Sequence, residues 1–121
     1  MHIARKEDIG NFLYKFKFFA QNPECFTFIE RDKNMKSLAE LGIKTPQAKN
    51  TILQLTYKNY CSGPEKDHEY PDCNIWTFGY EINDKEVYIK LSDDFSHNIA
   101  KCISFHIAER PISYPHKERG E

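Results

Sequence analysis

The chain has 121 residues, enough for one hydrophobic core and too few for two. Its 17 basic and 18 acidic residues leave a net charge of −1, which excludes a chain-wide basic surplus as the grip on nucleic acid and leaves only a local basic cleft. Apolar residues make up 40%, with nine Phe and seven Tyr, so the composition is that of a folded domain and not a disordered one.

No apolar run approaches the ~20 residues that cross a bilayer. The opening MHIARKEDIG is too polar for the apolar stretch of a signal peptide. A cytoplasmic protein is expected, with Cys25, Cys61, Cys73 and Cys102 as free thiols. Cys61, His68 and Cys73 come nearest to a zinc set, but their spacing fits no C-x₂-C pattern; no metal or other cofactor is expected. One domain is read over 1–121, with its core at about 7–110 and a fraying, Pro-rich tail at 111–121.

In chain order, Ile9, Phe12, Leu13, Phe16, Phe19 and Ala20 recur at three- and four-residue steps and predict a helix over 7–21, which Pro23 ends. Residues 25–31, CFTFIER, read as a short strand. Asp32 can cap a helix over about 33–41 that turns Met35, Leu38, Ala39 and Leu41 inward and stops at Gly42. Thr45-Pro46 signals a third helix, running to about Leu55 and burying Ala48, Ile52, Leu53 and Leu55. Thr56 can cap one more turn through Tyr60. Residues 61–73, CSGPEKDHEYPDC, carry turn residues throughout and read as a long loop. The rest reads as strands at 74–82, 85–91 and 100–107, with Asn83-Asp84 as a two-residue hairpin turn.

The alternation in the last two strands carries the functional reading. Val87, Ile89 and Leu91 alternate with Tyr88 and Lys90, and Ile103 and Phe105 alternate with Cys102, Ser104 and His106. Paired with apolar faces together, the strands place Tyr88, Lys90, Ser104 and His106 on one polar face. The fold class expected is α+β, N-terminal helices packed on a small C-terminal antiparallel meander.

Four stretches, in order, resemble the MqsR branch of the RelE-like toxins. They are NTILQL followed by TYKNY, Asn74-Ile75-Trp76 with Tyr80, Glu86 to Leu91, and Ile103-Ser104-Phe105-His106. The resemblance covers about residues 46–109. It implies a type II toxin that cuts messenger RNA without a metal and has a cognate antitoxin as partner. Of the family's working positions, a tyrosine falls on Tyr88 and a basic residue on His106. A glutamine position falls on Thr77 and a lysine position on Cys61, both departures, with Lys58 and Lys66 nearby.

Metal-free RNA cleavage needs a group to take the 2′-OH proton, one to protonate the leaving oxygen, and one to stabilise the charged phosphorane. His106 can exchange a proton near neutrality, Lys90 can neutralise a phosphate oxygen, and Tyr88 can hydrogen-bond the phosphate. Ser62 and Gly63 offer a hydroxyl and a backbone N–H for phosphate, while Trp76, Thr77 and Tyr80 are candidates for the base-binding wall. Each has a plainer reading: a solvated strand face for Tyr88 and Lys90, a core position for Trp76, a cross-strand contact for Tyr80. The alternative function is a non-catalytic RNA- or protein-binding module. A cysteine enzyme using Cys61 or Cys102 with His106 is disfavoured; between Cys102 and His106, four strand residues span ~13 Å.

Overall fold

The computed structural model describes residues 2–117. The apolar stripe of the opening segment forms α1, Lys6–Ala20, burying Ile9, Phe12, Leu13, Phe16 and Ala20. A 3₁₀ turn at Pro23–Cys25 leads into β1, Phe26–Phe28. Next comes α2, Asp32–Leu41, closed by Gly42 at φ 73°, where a side chain would be strained. Asp32, expected as its cap, is instead the first helical residue. The inward stripe also differs from expectation: Asn34 and Ser37 join Leu38 and Leu41 in the interior, and Ala39 is exposed.

The third helix, α3, spans Thr45–Leu53 with Pro46 in its first turn. Gln47 Oε1 accepts from the Lys44 N–H at 2.8 Å, satisfying a donor that the helix leaves open. Leu55 is buried beyond its end. The turn expected after Thr56 is present at Tyr57–Asn59, with Thr56 Oγ1 accepting from Lys58 N at 3.3 Å.

The remaining strands are β2 (Tyr60–Lys66), β3 (Asn74–Ile82), β4 (Lys85–Ser92) and β5 (Ala100–Ile107). They form one sheet in the order β1-β5-β4-β3-β2. From β2 to β5 the sheet is an antiparallel meander, and β1 adds to its far edge parallel to β5. The architecture is α+β, as expected, with one strand more than the meander alone. Asn83 and Asp84 take φ 50° and 66°, the left-handed pair that a tight hairpin requires.

Residues 61–66, expected within a loop, belong to β2, and the loop shrinks to 67–73. Gly63 and Pro64 hid the strand. Pro is tolerated because β2 is an edge strand, and the pairing with β3 is broken by two register shifts. Asp67 Oδ1 holds the short loop by accepting from Glu69 N at 2.9 Å.

The core lies between the helices and one sheet face. Phe78, Val87, Ile89, Leu91 and Phe105 are fully buried there, and Phe12 of α1 stacks on Trp76 with ring centres 4.6 Å apart. Each such side chain contributes roughly 1.5–3 kcal/mol by leaving water. The opposite face carries the tail. Of the segment expected to fray, residues 111–117 lie across that face; residues 118–121 are outside the described part. Among the described residues no helix is long and apolar enough to cross a membrane.

Candidate active site

The two-residue period of β4 sends Val87, Ile89 and Leu91 into the core and leaves Tyr88 and Lys90 on the other face. Register then fixes their neighbours. Tyr88 lies between Gly79 of β3 and His106 of β5, and Lys90 lies between Thr77 and Ser104. The Tyr88 and His106 ring centres are 5.4 Å apart. Lys90 Nζ stands 5.6 Å from the centre of the Tyr88 ring. The polar face read from alternation is therefore assembled, and its imidazole, phenol and ammonium are near neighbours.

His106 is held from its own strand and from α2. Its Nδ1 lies 3.1 Å from the Ile107 carbonyl, which can only accept, so Nδ1 carries the proton and Nε2 is left as the acceptor. Burial lowers the imidazole pKa below its ordinary value. The Ile107 hydrogen bond opposes this, Lys33 adds to it, Glu109 opposes it and Lys90 adds to it more weakly.

Beyond Cys102, the edge of β5 has no strand beside it, because β1 pairs only as far as Phe28. Side chains of α2 substitute. Asn34 Nδ2 donates to the carbonyls of Ile29 (2.8 Å) and Ile103 (3.0 Å), and its Oδ1 accepts from Phe105 N at 3.0 Å. Ser37 Oγ accepts from Ile107 N at 3.0 Å. The residues on either side of His106 are thus pinned by one helix, and the sequence reading had missed both pins. Their signal was present: 34, 37, 38 and 41 keep helical spacing, but polar side chains hid the stripe.

Tyr88 and His106 open on a cleft of about 490 Å³, lined also by Lys33, Cys61 and residues of the tail from Ala108 to Ser113. Lys90 and Ser104 open instead on an adjoining hollow of about 410 Å³, together with Arg31 and Lys101. The two hollows gather Arg31, Lys33, Lys90, Lys101 and Arg110 on one side of the molecule. Asp67, Glu69 and Glu109 line the same hollows, and Glu109 pairs with Lys33, so the local excess of positive charge is small.

The other candidates divide. Thr77 is opposite Lys90, buried, and Ser62 pairs with it in β2. Gly63 does not reach the shared face. It is buried with its carbonyl taken by the Tyr60 hydroxyl, and an added Cβ would stand 2.6 Å from Ile75 O. Trp76 and Tyr80 have the parity of Phe78 and lie on the helix side. The Trp76 indole N–H points to Asp93 Oδ2 at 3.4 Å, and the Tyr80 hydroxyl donates to Gln54 Oε1 at 3.0 Å. Cys102 is fully buried, and burial pushes its thiol far up, out of reach of a nucleophile's role. Cys61 does line the cleft, its thiol also raised by burial.

The family model described as motility quorum-sensing regulator, toxin of MqsA, matches residues 13–107. The chain belongs to the MqsR toxin family. Membership makes it the toxin of a toxin–antitoxin pair and gives it an antitoxin as partner. The match runs from the middle of α1 to the end of β5 and includes Tyr88, Lys90 and His106, while the tail that completes the cleft lies beyond it. No curated protein and no solved structure matches the chain.

Proposed function

We propose that this MqsR-family toxin is an endoribonuclease that cuts messenger RNA by attack of the 2′-OH on the adjacent phosphate, without a metal. The observation that carries the reading is the Tyr88–His106 pair on adjoining strands, 5.4 Å between ring centres, with Lys90 Nζ beside the phenol. His106 Nε2 takes the 2′-OH proton, which suits an imidazole kept neutral by burial. The 2′-oxygen bonds to phosphorus, the bond from phosphorus to the 5′-oxygen breaks, water protonates the departing 5′-oxygen, and His106 releases the proton it took to solvent. Tyr88 hydrogen-bonds the phosphate and Lys90 offsets its growing charge. The products are a 2′,3′-cyclic phosphate and a 5′-hydroxyl.

The test is incubation of the purified protein with RNA in EDTA, followed by mapping of the ends. Cyclic phosphate termini are expected, and His106→Ala should lower the rate ~10²–10⁴-fold with the fold intact. Intact RNA under these conditions would remove the proposal. A second reading is a non-catalytic binding module. It is favoured by Cys61, which stands in the cleft where the resemblance places a lysine. RNA retained but uncut, with no growth arrest on expression, would select it.

A further inference from the structure

The cleft of Tyr88 and His106 is only half built by the sheet. The tail from Ala108 to Ser113 completes it, and several contacts hold the tail in place. The half-buried Glu86 carboxylate accepts from the Tyr114 hydroxyl at 2.9 Å and from Ile112 N at 3.4 Å. Position 79 must be glycine for the tail to lie flat: a Cβ there would stand 2.5 Å from Tyr114 Oη and 2.9 Å from Ile112 Cδ1. His116 Nε2 reaches Ala4 O at 2.7 Å and its ring packs on Tyr60. These contacts make the tail a strap fixed across β4, β3 and β2, with its first residues facing the reacting pair.

Two cations line the cleft, Lys33 and Arg110. Lys33 is already paired with Glu109. Arg110 makes no ion pair among the described residues. Lys90 opens on the neighbouring hollow. A phosphodiester beside Tyr88 and His106 therefore meets Lys90 on the sheet side and Arg110 on the tail side, and of the two only the guanidinium lines the cleft itself and presents a planar pair of donors matched to two phosphate oxygens.

We infer that Arg110, presented by the C-terminal strap and positioned through Glu86, binds the RNA phosphate in the Tyr88–His106 cleft. The inference rests on the RNA reading of that cleft but not on cleavage, and it assigns a binding role outside the segment that the family model matches.

The experiment measures binding of a single-stranded RNA with 2′-O-methyl riboses, which cannot be cut, to the full chain. Arg110→Ala should weaken binding roughly 10- to 100-fold. It should also reduce the slope of log affinity against log salt by about 0.7, one phosphate contact on a single strand. Arg110→Lys should keep the slope and lose part of the affinity. Glu86→Ala, which frees the strap, should weaken binding to a similar degree, and the double variant should be no worse than either single one. Unchanged affinity and slope in Arg110→Ala would overturn the inference, even if the wild-type chain cuts RNA. An intact Arg110 effect in a chain that cuts nothing would sustain it while removing the nuclease reading. A wild-type chain that binds no RNA would end both.

Discussion

The imidazole of His106 has two states to choose between, and its surroundings favour the neutral one. Burial lowers its pKa, and the Ile107 carbonyl fixes which nitrogen keeps the proton. On the proposed function it is a general base, and it should therefore work further into acid than an ordinary histidine. The acid limb of the cleavage profile is expected below about pH 6.5, the value of a free imidazole. The same shift links to stability. A folded-state pKa below the unfolded one means that the unfolded chain binds the proton more readily. This contribution is complete above about pH 6.5 and is lost as pH falls through the folded value. Melting curves between about pH 7 and pH 5 should show the wild-type chain losing more stability on acidification than His106→Gln. Equal losses would contradict the assignment of burial as the governing cause.

Elements explain why that histidine is where it is. The strands were readable because alternation is local: each residue's side follows from its neighbours in sequence, and Tyr88, Lys90 and His106 fell on one face as the pattern required. Trp76 and Tyr80 follow the same rule to the other face. What the pattern does not contain is a contact made by a different element. Asn34 and Ser37 serve a strand some 70 residues away, at sequence separations of 71 and 70 for their bonds to Phe105 and Ile107. Asn34→Ala would leave Phe105 N and two carbonyls without partners, at about 1 kcal/mol or more each. A loss of about 3 kcal/mol is expected in urea unfolding, and a loss under about 1 kcal/mol would show that water replaces the side chain. Gly63 was legible as a turn residue but not as a strand residue. Its φ of 104° and the 2.6 Å approach of a Cβ to Ile75 O leave no room for a side chain. Gly63→Ala should cost at least about 2 kcal/mol from backbone strain and overpacking together, measured the same way.

At the scale of the whole molecule, charge is the quantity that composition conceals. A net −1 is compatible with a face bearing Arg31, Lys33, Lys90, Lys101 and Arg110, which outnumber the Asp67, Glu69 and Glu109 that line the same two hollows. On the proposed function, RNA affinity should fall linearly with salt on logarithmic axes. Replacing Lys90 and Lys101 together by Ala should flatten the line without changing sequence preference, since phosphate contacts carry no base information. An unchanged slope would mean that the second hollow takes no part. The tail, too, was visible only at this scale. Its charged, Pro-rich composition describes a segment that need not fold alone, and its anchors at Gly79, Glu86 and Ala4 come from three separate parts of the chain.

The parallel pairing of Phe26–Phe28 with Ala100–Cys102 has a consequence for synthesis. Of the strands in this sheet, the first to leave the ribosome pairs with the last, Phe26 with Ala100. Until that partner emerges, the sheet lacks one border, and the helix that grips it has nothing to hold. A nascent chain therefore lacks the strand that carries His106, and with it the Tyr88–His106 face, until β5 has emerged.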